Sequence, residues 1–478
     1  MPRNLSGTAT KWGTLGMVPH VSDHHVVVVS NRGPISFIED DAGQLVPSRG
    51  AGGLVSSLGP AVASTNATWI ACALTDADRH ATADGAIEAE GFRVRTLDID
   101  PDTYRQYYDV VANSTLWFLN HGLFDLPRRP RIDRRWMEAW ESYRKVNVAL
   151  GDLVIDEADD GATVLVHDYH LSLIGARLAK ERPDLNTVYF HHTPFCDPVA
   201  LRVLPYDIRV ELLEGVAGNR ACGFHAARWA ANFEACCVDV LGRAPRTFVS
   251  PAAPDADDLR RVATSDECHA ALERLDAQVG DCAVIARVDR IELSKNIVRG
   301  FLAYEDLLRT RPSWRQRVVF VAYVYPSRQT LPEYQAYRTE VESVVNRINA
   351  ELSTPGWTPI ILDMRDNYPR SVAALRRYDV LLVNPVRDGL NLVAKEGPLV
   401  NEHHGVVLLS PEAGVWDELA DAAIAVNPFD VAATADALDL ALNLDAAERH
   451  ERWAALRQMA EARTPDDWFA DQLAAGRD

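Results

Sequence analysis

Residues Val380–Glu396 read VLLVNPVRDGLNLVAKE. The opening VLLV is apolar on both faces, as in a strand covered on both sides. Asp388-Gly389 breaks the run, and a helical pattern carrying Lys395 and Glu396 follows. A strand that yields to a glycine turn and then a helix is the repeating unit of a parallel α/β sheet. The unit recurs on either side. Ala283–Ala286, Val318–Val324, Pro359–Leu362 and Val406–Leu409 are strand-like runs in the same half, and His25–Ser30, Thr163–Val166 and Thr187–His191 are their counterparts in the first. Val341, Val344, Val345, Ile348 and Leu352 recur at i, i+3, i+4, i+7 and i+11, the stripe of an amphipathic helix.

A chain of 478 residues is too long for one core. The stretch SPAAPDADD, Ser250–Asp258, lies between the two αβ series and reads as a linker. The expected division is residues 1–250 and 251–459, with the closing TPDDWFADQLAAGRD forming a helix over about 460–478 that crosses back to the first domain. Two parallel sheets so joined leave a cleft between the carboxyl ends of their strands, where α/β proteins bind ligands. Lys and Arg number 49 against 68 Asp and Glu, a net charge of −19. That argues against nucleic acid, which needs a clustered basic face, but leaves room for small phosphorylated ligands. Seven cysteines without CxxC spacing suit reduced thiols and give no zinc signature. The first 25 residues lack a signal-peptide core and no apolar run is long enough to span a membrane, so the expectation is a cytoplasmic chain without a membrane partner.

The polar motifs fall where strands end. SNRGP, Ser30–Pro34, is followed by RGAGGLVSSLGP, Arg49–Pro60, so Gly50, Gly52 and Gly53 precede a helix start beside Arg32. Backbone N–H groups there can converge on an anion, and a tight turn is the plainer alternative. VHDYH (Val166–His170) and FHHTPF (Phe190–Phe195) bring Asp168 and four histidines to two strand ends, where packing is the competing role for each ring. ARVDRIELSKN, Ala286–Asn296, reads as a strand leading into a loop with Arg290 and Lys295, two cations suited to a diphosphate leaving group. YPSR adds Arg328 after another strand. Asp388 and Glu396 can accept from sugar hydroxyls, while Lys395 can be read as no more than an exposed helix face. No GxSxG, HExxH or paired-carboxylate hydrolase motif is present.

In order, SNR, AGGL, Tyr108 with Trp117 nine residues on, HDYH, HTPF, Arg290 with Ser294-Lys295, Ser327-Arg328, DGLNLVAKE and VNPFD resemble the trehalose-6-phosphate synthase family of retaining glycosyltransferases. The likeness runs from about Val26 to Trp468. It implies a GT-B fold of two Rossmann-like domains, acceptor-binding first and nucleotide-sugar-binding second. It also implies roles. Arg32, Tyr108, Trp117 and Arg328 match positions that hold the acceptor's phosphate. Gly52, Gly53, Arg290 and Lys295 match those around the donor diphosphate. Asp168, His192 and Asp388 match residues on the two sugars, Glu396 the carboxylate on the donor ribose, and Gly389, Leu390, Asn391, Leu392 and Val393 the backbone near the donor. The implied reaction moves glucose from a nucleotide-diphosphate glucose to glucose 6-phosphate by front-face attack. It needs no cofactor or protein-held metal, although Mg²⁺ can accompany the nucleotide. A homo-oligomer accords with the likeness.

Some positions depart from that pattern. The family's D-Y-S-K-G is Glu292-Leu293-Ser294-Lys295-Asn296 here, and L-H-I-P is His191-His192-Thr193-Pro194. EGPLVNE, Glu396–Glu402, and the Lys-Asn pair look more like a pseudo-glycosyltransferase branch that joins aminocyclitol phosphates through nitrogen. A non-catalytic sugar-phosphate sensor is the reading from another class. In DMRDNYPRS, Asp366 can accept from both N1–H and N2–H₂ of guanine, which favours GDP-glucose over UDP-glucose; the alternative is that Asp366 caps the next helix.

Overall fold

The computed structural model describes residues 25–477 apart from 41–42, 50–52, 64 and 84. Two sheets organise it. The first runs Thr247–Val249, Ala221–Phe224, Asn186–His191, Thr163–His167, Val26–Val29, Ala67–Cys72, Phe92–Leu97 and Ile87–Ala89 across its width. Its pairings are parallel except for Ile87–Ala89, which runs against Phe92–Leu97. The second runs Ile360–Asp363, Val318–Pro326, Ala283–Ile291, Val380–Val383, Val406–Leu409 and Ile424–Ala425, parallel throughout. Helices cover both sheets, which is why the strand runs are apolar on both faces. All four valines of Val26–Val29 are buried, and each such side chain contributes about 1.5 kcal/mol or more.

The helix read from the 341–352 stripe is Pro332–Leu352, with Val341, Val345, Ile348 and Leu352 turned inward. Ala283–Ile291 runs further than the sequence suggested. It pairs residue for residue with Val318–Pro326, burying Val288 and Ile291, so Arg290 lies on the strand opposite Tyr325 rather than on the loop beyond it.

The two crossings between the lobes are tied together. Ser250 donates through Oγ to Asp471 at 2.8 Å and accepts from Arg463 at 3.2 Å. The closing helix Pro465–Arg477 lies on the first sheet, where Trp468 meets Phe190 edge-on at 5.1 Å and Arg246 donates to the Ala475 carbonyl at 3.1 Å. Thr464 and Asp467 exchange the reciprocal bonds of a capping box at its start. Lys395 is not an exposed helix face. It is buried, and its ammonium donates to the Ala252 carbonyl at 2.9 Å and to Glu418 at 2.7 Å, anchoring the linker to the second lobe.

Candidate functional site

Beyond Val26–Val29 the chain is held by buried bonds. Trp69 Nε1 donates to Ser30 Oγ at 2.8 Å, and Tyr107 donates to Asn31 Oδ1 at 2.9 Å. That anchoring holds the exposed Arg32 beside the cleft, where its guanidinium donates to the Tyr108 hydroxyl at 3.3 Å. Tyr108 stacks on His170 with ring centroids 5.6 Å apart. Tyr107, Tyr108 and Asn113 come from a π-helical stretch, Gln106–Leu116, whose wider turn lets Asn113 Nδ2 donate to the Tyr108 carbonyl five residues back at 2.9 Å. Such stretches recur at functional sites.

Arg328 reaches this wall from the second lobe. Its Nε donates to Asn113 Oδ1 at 2.7 Å, Nη2 to the Tyr169 hydroxyl at 3.2 Å, and Nη1 to Glu292 at 2.6 Å and Tyr334 at 3.0 Å. Its guanidinium lies 5.0 Å over the Trp117 ring, so Trp117 serves as a platform for Arg328. Glu292 Oε1 also lies 3.2 Å from Arg290 Nη1. Lys295 Nζ sits 2.8 Å from Asp388 and 3.4 Å from Asp289. Burial opposes the Lys295 charge, but the Asp388 and Asp289 carboxylates outweigh it and hold the ammonium above its usual range. Burial likewise opposes the Asp388 charge, and Lys295 keeps that carboxyl below its ordinary value.

The histidines behave differently. His192 Nε2 lies 3.0 Å from His167 Nδ1, and its Nδ1 lies 3.3 Å from His225 Nε2. His225 in turn accepts from the Ala252 amide of the linker at 3.3 Å. Both ring nitrogens of His192 are thus engaged by other rings, and neither is left for a sugar hydroxyl in this arrangement. Burial pushes His167 and His225 down to about 3 and His192 well below its ordinary value, so the stack is neutral at physiological pH. Asp168 accepts from the His192 amide at 3.3 Å, and burial raises it to about 6.

On the donor side, Gly389 packs so close to His192 that a Cβ there would lie 1.9 Å from the His192 carbonyl oxygen. Asn391 donates to Asp388 at 3.1 Å, and the Leu392 carbonyl accepts the first turn of helix Val393–Val400. The Leu390 carbonyl accepts from the Val415 amide at 2.9 Å. Glu396 is half-buried, and burial raises it to about 7. Asp366 is exposed and has no hydrogen-bond or ion-pair partner among the described residues; Asn367 caps the following helix instead, accepting from the Arg370 amide at 2.9 Å. Gly53 begins the helix Gly53–Ala63, whereas Gly50 and Gly52 lie outside the described residues. No group of three or more His, Cys, Asp or Glu could hold a metal ion, and no helix is long and apolar enough to cross a membrane, among the described residues.

The cations singled out in the sequence therefore converge. Arg290 and Arg328 share Glu292, Arg328 touches Asn113 and Tyr169, and Tyr169 stacks on the His170 ring that carries Tyr108 and Arg32. Asp168, Asn296, Arg328 and Asn391 all have positive φ, four of the seven described non-glycine residues that do. The asparagines tolerate that region, whereas Asp168, at φ 77° and ψ 165°, and Arg328 hold strain of about 1–3 kcal/mol each, of the kind that gathers at functional sites. Sequence reasoning missed Glu292, Asn113, Tyr169 and Asp289 as members. Glu292 stands just past the end of strand Ala283–Ile291, where its amide bonds back to the Arg290 carbonyl at 2.8 Å, so strand alternation gave no signal for it. A hollow of about 640 Å³ on the outer face of the first lobe, lined by Arg144, Arg177 and Glu211, lies apart from these motifs, and its arginines are already paired.

The trehalose-6-phosphate synthase of Mycobacterium sp. (strain KMS) is 31% identical over 484 residues, covering 95% of this chain and 96% of that protein. The bifunctional trehalose-6-phosphate synthase/phosphatase of Thermoproteus tenax is 31% identical over 469 residues, 93% of this chain. This chain spans 62% of that protein's length, and 56% and 48% of two related Arabidopsis thaliana proteins. Among solved structures, the UDP-forming alpha,alpha-trehalose-phosphate synthase of Burkholderia xenovorans in complex with glucose-6-phosphate superposes with a TM-score of 0.83 at 28% identity, covering 95% of this chain and all of that one. The fold is accordingly the GT-B arrangement the motifs implied. The sequence model of glycosyltransferase family 20 matches residues 24–475, and the chain belongs to that family.

Proposed function

We propose that this protein is a trehalose-6-phosphate synthase that moves glucose, with retention, from a nucleotide-diphosphate glucose to glucose 6-phosphate. The observation that carries the reading is the meeting of Arg328 and Arg290 on one Glu292 oxygen, between Asp168 on one wall and Lys295–Asp388 on the other. Arg328 with Arg32 and Tyr108 suits the acceptor phosphate, and Arg290 with Lys295 suits the donor diphosphate. The acceptor oxygen attacks the anomeric carbon on the face the diphosphate is leaving, the carbon–oxygen bond to phosphate breaks, and the hydroxyl proton passes to the departing phosphate oxygen. No side chain has to act as a strong base. The cations stabilise charge as it develops, and the pocket holds the two substrates in register. We read the transfer as needing no cofactor and taking place in the cytoplasm.

The departures toward the pseudo-glycosyltransferase branch have backbone explanations. Asn296 adopts φ 59°, a conformation open to asparagine as well as glycine, and its side chain donates to the Asn384 and Pro428 carbonyls. Asn401 donates to the Tyr378 carbonyl at 2.9 Å, satisfying the carboxyl end of the neighbouring helix Tyr368–Arg377. Neither favours a different acceptor. For the donor base, the uncommitted Asp366 carboxylate supports GDP-glucose, while the UDP-forming Burkholderia relative supports UDP-glucose.

A panel of GDP-, UDP- and ADP-glucose with glucose 6-phosphate, run with and without an aminocyclitol phosphate, tests the proposal. Trehalose 6-phosphate from at least one donor is expected, and no product from any donor overturns it. Competition titration of GDP against UDP decides the base, and tighter UDP binding removes the role given to Asp366.

A further inference from the structure

We infer that Glu292 is a positioning residue that serves both anion sites at once, as the shared counterion fixing donor-side Arg290 and acceptor-side Arg328. The inference rests on the reading of those two arginines given above. One oxygen, Oε1, accepts from Arg328 Nη1 at 2.6 Å and from Ser327 Oγ at 3.0 Å, and lies 3.2 Å from Arg290 Nη1. The residue is 2% exposed. Burial alone would neutralise it, but Arg290, Arg328 and Lys295 prevail and bring the carboxyl down to about 2, so it stays charged.

The geometry gives that charge two opposed consequences. Two guanidiniums meeting at one point repel each other, and a carboxylate between them is what lets both stay where a diphosphate and a phosphate must lie side by side. A guanidinium has five N–H donors. Four Arg328 bonds, to Asn113, Glu292, Tyr334 and Tyr169, leave one N–H on Nη2 for an incoming phosphate. Arg290, half-exposed and tethered through one nitrogen, keeps more of its donors free. The same carboxylate repels both phosphorylated substrates. Glu292 therefore trades ground-state affinity for placement: it loosens the hold on the nucleoside diphosphate while keeping the charges aligned for transfer.

Neutralising it should move the two quantities in opposite directions. In Glu292→Gln, which preserves size and one acceptor oxygen, UDP and GDP measured by titration calorimetry should bind about three-fold tighter or more, while kcat falls about ten-fold or more. Glu292→Asp keeps the charge but shortens its reach, so the KM values for donor and acceptor should rise together. Wild-type kcat in Glu292→Gln, or parallel loss of kcat and nucleotide affinity, overturns the inference. Should Glu292→Gln fail to fold, Glu292→Asp decides: a shift at one substrate alone overturns the shared role, and a joint shift supports it. Absence of any transfer by the unaltered protein would count against the proposed function instead.

Discussion

The strand ends of the two sheets bring unlike chemistry to one cleft. Beyond Thr163–His167 and Asn186–His191 stand neutral rings, with His192 held between His167 and His225 and Trp468 packed against all three. Toward the ends of Ala283–Ile291 and Val318–Pro326 stand ions, with Arg290 and Arg328 on Glu292 and Lys295 between Asp388 and Asp289. The rings are neutral because burial outweighs what little favours their charge, Asp388 acting on His225 included. The ions persist because each has an opposite charge within about 4 Å. The difference suggests a division of labour, in which the first lobe supplies shape and hydrogen bonds and the second supplies field. Arg32 is the exception, a cation on the first wall held to Tyr108.

This contrast can be broken or sharpened by experiment. Lys295→Ala or Arg290→Ala should lower kcat by about a hundred-fold or more, as loss of an electrostatic stabiliser does. Near-normal turnover in both would mean that the field of the second lobe is not what drives transfer. Arg328→Ala should raise the KM for the sugar phosphate by about ten-fold or more with a smaller change in kcat, because it removes a contact made before the transition state. A pure kcat effect would move Arg328 to the donor side. The smallest effect concerns pH. Burial raises Glu396 to about 7, so its negative charge is lost as pH falls through that value, and the charge-assisted bond we propose it accepts from the donor ribose weakens. The nucleotide-sugar Kd, measured from pH 6 to 8, should rise by about five-fold toward acid, and Glu396→Gln should be weak and flat throughout. His167 and His225, pushed down to about 3, and His192, held well below its ordinary value, should add nothing to that range.

Much of this was legible in the sequence because the signals are local. VLLV followed by Asp-Gly fixes a buried strand and its turn, and cations spaced a few residues apart near strand ends single out the stretches that the fold brings together. What escaped depends on long-range contacts. Arg290 proved to be on its strand because Val318–Pro326 continues alongside, a pairing that no local pattern announces. Asn113 and Tyr169 look like ordinary polar positions until Arg328, 215 and 159 residues away, is brought against them. Lys395 looked like surface because its partners, Ala252 and Glu418, are distant in the chain. The alternative role for Asp366, capping the next helix, falls to Asn367 one residue on, an ambiguity normal for helix boundaries.

The bare backbone at Gly389 sets a tolerance for the whole molecule. Where a methyl carbon would fall 1.9 Å from the His192 oxygen, far inside the 3.0 Å that such atoms respect, a single added carbon becomes a doorstop. Gly389→Ala would therefore push this strand-end contact apart, since the atoms it meets are backbone and cannot swing aside.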